Sequence, residues 1–171
     1  MHDSKSHLTS VRLEAFSALL EQAFPLVPVP LRVADSTASD EPLIAQSMLV
    51  GKRWNKLDAA DLCEQWGDTC LCSCLPFLTG TAFRYYLPFF LKYCLEYPEH
   101  DVSDVEMIMR MLGGRQSKVE TPKHIEDMIE PFTCAQQKAI GEFVKIAMRL
   151  FDGRIPHSDF DHLVERYVQS P

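Results

Sequence analysis

The stretch from Thr79 to Tyr97, TGTAFRYYLPFFLKYCLEY, is the most apolar continuous segment of the chain. On a helix with 100° per residue, a narrow stripe of Tyr85, Lys92 and Glu96 is all that remains for water. A helix that is apolar around most of its circumference is buried by its neighbours. The sequence therefore predicts a central helix on which the other elements pack.

Three residues within this segment suggest how the helix starts, bends and is held. Thr79 is a suitable N-cap, because its hydroxyl can accept a free backbone N–H of the first turn. Pro88 cannot donate to the carbonyl of Arg84, so a kink is predicted there. Arg84 projects among leucines and must reach water or a carboxylate. We expect a structural ion pair, with a ligand-binding arginine as the alternative.

The segments around this helix have the amphipathic spacing of further helices. The clearest run from Leu8 to Phe24, where Pro25 ends the pattern, and from Thr133 to Phe151, where Thr133 and Gln136 form a capping box. Ser103 and Glu106 form another such box, and Thr121-Pro122 opens one more short helix. No convincing strand pattern appears. We therefore predict an all-α fold, an irregular bundle of about seven helices around the buried, Pro-kinked central helix, with residues 1–171 as a single helical domain.

The charge of the chain limits its partners. The formal net charge is −7, and no block of Lys or Arg exists to replace the counterions of a nucleic acid or an anionic membrane. The first residues, MHDSKSHLTS, lack the layout of a signal peptide, and no segment has the composition of a membrane span. We expect a cytoplasmic location, with neither nucleic acid nor membrane as a partner.

The six cysteines are the main candidates for metal or redox chemistry; the segment from His157 to His162 is a second metal candidate, which the start of a helix explains instead. Cys70, Cys72 and Cys74 alternate in C-L-C-S-C, and Cys63 is the only nearby fourth ligand for a tetrahedral zinc. No C-x-x-C repeat is present, and cytosolic thiols are usually reduced. We interpret the run as small apolar filler beside the central helix, with metal binding and thiol redox chemistry as alternatives. No metal, cofactor or catalytic residue is predicted.

Three segments of the chain carry a family resemblance. They read W-N-K-L at 54 to 57, L-P-F-L-T-G-T-A-F-R-Y-Y-L-P-F-F-L at 75 to 91, and F-T-C-A-Q-Q-K-A-I-G-E-F-V at 132 to 144. This order resembles an uncharacterised bacterial domain family whose central helix carries an F-L-T-x-x-x-F-R-Y-Y-L-P motif. The resemblance covers most of the chain, from Trp54 to Phe151. It implies an all-α fold and brings no catalytic residue or assigned activity.

Three hypotheses for function remain open. The first is a small cytosolic bacterial protein that binds another protein without catalysis, as an inhibitory or immunity-like domain does, through exposed Met107, Met111, Tyr85 and Phe89. The second is a small-ligand or metal-binding domain that uses Arg84, Tyr85 and Trp54, or the thiols of Cys70, Cys72 and Cys74. The third is an enzyme whose site is assembled from distant residues. The sequence favours a non-catalytic role.

Overall fold

The predicted all-α class is confirmed in a computed structural model that describes residues 3–34, 40–67, 70–98, 102–113, 127–129 and 131–169. Its α-helices are α1 (Asp3–Ala23), α2 (Asp40–Leu49), α3 (Ala59–Trp66), α4 (Gly80–Glu96), α5 (Ser103–Met111), α6 (Cys134–Leu150) and α7 (His157–Leu163). The described ranges also contain two 3₁₀ segments, Trp54–Lys56 and Leu71–Phe77, a final π-helical turn, Val164–Val168, and the helical residues 127–129. The helix predicted at Thr121-Pro122 lies outside the described residues.

The central helix predicted from the sequence is α4. The Thr79 hydroxyl accepts the N–H of Ala82 at 3.2 Å, which confirms the predicted N-cap. Most of the helix is buried, including Pro88, and the helix continues through that residue. The kink at Pro88 stays a prediction. No helix in the described ranges is long and apolar enough to cross a membrane.

Four elements pack on α4: α1, α5, α6 and the turn Trp54–Lys56. Aromatic rings fill the space between α1 and α4. The Phe132 ring lies 6.5 Å from that of Phe24 and 6.4 Å from that of Phe83, and all three are buried. Burial of one such ring contributes about 1.5–3 kcal/mol, so contacts of this kind fix the two helices to each other.

An extended segment after α1 crosses to α2, and the side chain of Gln46 bonds to three of its backbone groups. Oε1 of Gln46 accepts the N–H groups of Val33 at 2.7 Å and Ala34 at 3.0 Å, and Nε2 donates to the carbonyl of Leu31 at 3.2 Å. The carbonyl of Val33 accepts the N–H of Thr79 at 2.8 Å. Since these backbone groups are paired, the crossing is stable without a sheet.

The start of α5 differs from its prediction. The N-cap is Val102, with no capping side chain, so the capping box of Ser103 and Glu106 is wrong. The helix instead turns Asp104 inward, where only 2% of the residue is exposed. A buried carboxylate requires donors, and the next section shows that residues 70–74 and α4 supply them.

The surface predicted for protein binding is largely buried. Met111, Tyr85 and Phe89 are 1%, 7% and 7% exposed, and Met107 is half-buried. Tyr85 was expected in the water-facing stripe of α4, and it is buried because its hydroxyl reaches the carbonyl of Leu26, just beyond α1. These residues are part of the core and its margin.

The capping box of Thr133 and Gln136 is confirmed at the start of α6. One glycine on this helix allows the C-terminal turn to pack closely. A Cβ atom on Gly141 would clash with the backbone oxygen of Tyr167. The hydroxyl of Tyr167 donates to the carbonyl of Leu112 at 3.2 Å, so the same residue ties the turn to the end of α5.

Candidate functional site

A cleft of about 230 Å³ opens between α1, the turn Trp54–Lys56, the start of α3 and the C-terminal half of α4. We call it the Trp54 cleft. Its aromatic walls are Trp54, Phe89, Tyr93 and Tyr97. Its charged side chains are Glu21, Asp58, Lys92 and Glu96.

The helical repeat of α4 places the side chains that this helix contributes on one side of the cleft. Phe89, Tyr93 and Tyr97 follow at intervals of four residues and therefore share a face. The rings of Phe89 and Tyr93 are stacked at 6.3 Å, and those of Tyr93 and Tyr97 are 5.4 Å apart. Beside them, Lys92 Nζ lies 3.4 Å from Glu96 Oε1.

The opposite side of the cleft contains two polar atoms that the fold leaves unpaired. Among the described residues, neither Nε1 of Trp54 nor Oδ1 of Asn55 has a hydrogen-bond partner, and both atoms are shielded from solvent. Trp54 is only 3% exposed, whereas Asn55 is half-buried. We call this pair the Trp54–Asn55 wall. An unpaired buried donor or acceptor costs about 1–3 kcal/mol, so the wall has hydrogen bonds still to gain.

Of the three residues predicted for ligand binding, only Trp54 lines this cleft. Tyr85 is buried, and its hydroxyl donates to the carbonyl of Leu26 at 2.7 Å. Burial raises the pKa of this hydroxyl. The Tyr85 hydroxyl therefore already donates its hydrogen bond within the fold.

Arg84 lies outside the cleft. Its Nη1 donates to the carbonyl of Met128 at 3.1 Å, and among the described residues no carboxylate pairs with it. The expected ion pair is therefore wrong: a backbone carbonyl takes its place, because the segment around Met128 covers the start of α4. Partial burial lowers the pKa of the guanidinium.

The cysteine run packs against Asp104. Oδ1 of Asp104 accepts the N–H of Cys72 at 2.7 Å and the thiol of Cys70 at 3.4 Å, and Oδ2 accepts the hydroxyl of Tyr93 at 3.4 Å. We call Cys70, Cys72, Tyr93 and Asp104 the Asp104 cluster. Every contact in it is a donor facing an acceptor, which is the arrangement that a buried carboxylate needs.

The thiols of this region are poorly suited to metal or nucleophilic chemistry. Burial raises the pKa of both Cys72 and Cys74, so these thiols stay protonated at neutral pH. In the part of the chain that the structure describes, no group of three or more His, Cys, Asp or Glu side chains is arranged to hold a metal ion. The interpretation as small core residues fits this packing, since Cys72 and Cys74 are fully buried.

Sequence reasoning missed Asn55 and Asp104. Asn55 follows Trp54 directly, so the W-N-K-L segment contained a signal, but nothing local shows that its oxygen lacks a partner. Asp104 lies between Ser103 and Glu106, which the sequence predicted as the capping box of a helix. Its main partner, the N–H of Cys72, is 32 positions away in the chain, and no periodicity reports such a contact.

Comparison with known families matches residues 32–169 to one described as "Family of unknown function (DUF6714)". The match begins in the extended segment after α1 and ends in the final π-helical turn. It therefore includes Trp54, Asn55 and the whole of α4. No curated protein and no solved structure matches the chain.

Proposed function

We propose that this chain, which belongs to the family of unknown function DUF6714, is a non-catalytic protein that binds a small organic ligand in the Trp54 cleft. The observation that carries the proposal is the Trp54–Asn55 wall, where a buried donor and a buried acceptor of two cleft-lining residues find no partner among the described residues. A ligand that bonds to either atom recovers free energy that the fold alone does not.

The concave shape of the cleft supports this function, because ligand sites are concave and carry polar groups that fix orientation. The Trp54 cleft has four aromatic rings and a rim of charged side chains, and about 230 Å³ suits a metabolite-sized molecule. Because both wall atoms are shielded, a ligand reaches them only if the side chains of Trp54 and Asn55 move.

A thermal-shift screen of metabolites tests the proposal. A ligand at 100 times its dissociation constant stabilises the folded state by about 2.7 kcal/mol. The stabilisation is expected in the wild-type chain and in Cys134→Ser, where the change is on an exposed residue of α6 away from the cleft. It is expected to disappear in Asn55→Ala. Hits that stabilise all three chains equally, or an absence of hits, would contradict the proposal.

A second candidate function is binding of another protein, in a bacterial, cytosolic, inhibitory or immunity-like role. The observation that favours it is a set of exposed apolar side chains around the extended crossing: Leu31 is 86% exposed, Val27 59% and Leu43 54%. Leu31 and Leu43 are near each other, because Gln46 bonds to the carbonyl of Leu31 one turn beyond Leu43. With a net charge of −7, neither nucleic acid nor an anionic membrane is proposed as the partner.

Charge substitutions on that surface separate the two functions. The double variant Leu31→Asp/Leu43→Asp keeps the core intact, since both side chains are exposed. If protein binding is the function, a partner captured from native lysate by the wild-type chain is lost with this variant and kept with Asn55→Ala. Capture that is unchanged by the double variant would exclude this surface.

A further inference from the structure

We infer that the ligand of the Trp54 cleft is an organic cation, an amine or guanidine that also carries an acceptor oxygen. This inference rests on the proposed function and specifies the chemistry of its ligand. It combines three features of the lining: a negative charge balance, an exposed aromatic face, and the particular pair of atoms in the Trp54–Asn55 wall.

The charges around the cleft favour a cation. Three carboxylates, Glu21, Asp58 and Glu96, face one ammonium, that of Lys92, so the lining has an excess of negative charge. Two of these carboxylates are already engaged: Glu96 pairs with Lys92 at 3.4 Å, and Asp58 caps α3 by accepting the N–H groups of Ala60 and Asp61. Glu21 has no ion pair with any described residue, and its carboxylate is the one left for a ligand.

The walls add a second source of attraction for a cation. Trp54, Phe89 and Tyr93 are at most 7% exposed, so Tyr97 is the lining ring whose face a guanidinium or ammonium group can cover, and such a face attracts a cation. Tyr97 is 40% exposed, so its ring is accessible from solution. An anionic ligand would gain nothing from this face and would be repelled by the carboxylates.

The wall defines the rest of the ligand. Oδ1 of Asn55 can only accept, so it pairs with an N–H of the cation, whereas Nε1 of Trp54 can only donate and needs an acceptor oxygen. A guanidinium or ammonium group with a nearby carboxamide oxygen satisfies both. A simple metal cation could accept the Oδ1 of Asn55 as a ligand but offers no acceptor to Nε1 of Trp54.

Two isosteric probes test the charge directly. N-acetyl-argininamide carries a guanidinium, and N-acetyl-citrullinamide has a neutral urea of the same shape. Trp54 emission reports binding in the variant Trp66→Phe, because Trp66 lies outside the cleft, where its indole donates to Ser73 Oγ at 2.8 Å. Calorimetry on the wild-type chain repeats the measurement without that substitution.

We expect the arginine probe to bind at least about ten-fold more tightly than the citrulline probe, with a preference that shrinks as salt is added. Glu21→Gln is expected to lower the affinity for the arginine probe several-fold and leave the affinity for the citrulline probe unchanged. Asn55→Ala is expected to lower the affinity for both probes.

The outcomes separate this inference from the proposed function. Equal or tighter binding of the citrulline probe would contradict the inference that the ligand is a cation. It would not contradict the proposal that the cleft binds a ligand. The same holds if neither probe binds while a neutral or anionic hit of the thermal-shift screen is lost in Asn55→Ala. If neither probe nor any screened compound binds, both fall.

Discussion

The Asp104 cluster and the Trp54–Asn55 wall are two buried polar regions beside the same helix, α4, and they differ in whether their hydrogen bonds are made. Asp104 accepts from a backbone N–H, a thiol and a hydroxyl. Trp54 Nε1 and Asn55 Oδ1 pair with no described residue. Tyr93 belongs to both regions, because its hydroxyl joins the cluster and its ring lines the cleft.

This difference separates a structural role from a binding role. A completed polar network in the core stabilises one packing arrangement, while an incomplete one lowers stability unless something else completes it. The cluster is the region that could be mistaken for a site, because it contains cysteines and a carboxylate. The wall is less conspicuous chemically, yet it is the region with hydrogen bonds still to make.

The largest expected effect comes from removing the acceptor of the Asp104 cluster. Asp104→Ala removes the acceptor of the Cys72 N–H and of the Tyr93 hydroxyl, and leaving a buried donor without its acceptor costs about 1–3 kcal/mol. We expect the free energy of unfolding to fall by about 3–5 kcal/mol in urea titrations.

Asp104→Asn is the matched control for this prediction. It keeps an acceptor oxygen and the side-chain volume. Its free energy of unfolding is therefore expected to fall clearly less than that of the alanine variant. A loss below about 1 kcal/mol in Asp104→Ala would show that the cluster does not stabilise the fold and would remove the contrast with the wall.

The second effect is a loss of stability at alkaline pH. Burial raises the pKa of Tyr93, with a further contribution from Asp104, and burial raises the pKa of Tyr167 to about 12. Because these folded-state values lie above the ordinary value of about 10, the stabilisation is complete below pH 10 and is lost as the pH rises toward 12. Tyr167 alone accounts for about 2–3 kcal/mol over that range.

Urea titrations between pH 9 and 12 measure this loss. Tyr167→Phe is expected to flatten the pH dependence by up to about 1.4 kcal/mol per unit, and Tyr93→Phe to flatten it as well. Tyr93→Phe also tests the link between the two regions, since it removes the hydroxyl from the cluster and keeps the ring in the cleft. A pH dependence identical in all three chains would contradict this account of the buried hydroxyls.

The third effect is small and has the opposite sign to the first. Asn55→Ala removes an acceptor that has no partner, so the free energy of unfolding is expected to stay constant or rise by up to about 1 kcal/mol. Equilibrium unfolding of the unliganded chain is the measurement. A loss above about 2 kcal/mol would mean that Asn55 supports the fold and would make the two regions alike.

The last effect is a difference in thiol labelling rather than in free energy. Cys134 is exposed, whereas Cys72 and Cys74 are buried with raised pKa values, so a disulfide reagent is expected to label Cys134 first. Peptide mapping at short reaction times identifies the labelled positions. In Asp104→Ala, Cys72 is expected to become reactive as the cluster opens. Early labelling of Cys72 in the wild-type chain would contradict the closed cluster.

Local patterns predicted what depends on local contacts. The α4 segment, the Thr79 cap and the Thr133–Gln136 capping box each involve residues within a few positions of one another, and all are present. The prediction that Tyr85 faces water was wrong because its partner is distant in the chain. Its hydroxyl bonds to the carbonyl of Leu26, 59 positions away, and a helical wheel cannot represent such a partner.

The candidate site was predictable only in part. Trp54 belongs to the predicted ligand-binding set, and its indole N–H, which has no partner among the described residues, is what marks the cleft. The carboxylate of Glu21 and the rings of Tyr93 and Tyr97 come from α1 and α4, which meet only after folding. Arg84 was chosen for its charge, but charge alone does not show that a backbone carbonyl satisfies it.

The amide of Gln46 has a consequence for how copies of this chain behave at high concentration. It occupies the N–H groups of Val33 and Ala34 and the carbonyl of Leu31, while Pro28 and Pro30 have no N–H to offer. A strand from another molecule therefore finds few free backbone groups along this extended edge, although Leu31 beside it is apolar and exposed. We therefore expect this glutamine to oppose edge-to-edge pairing of copies of the chain.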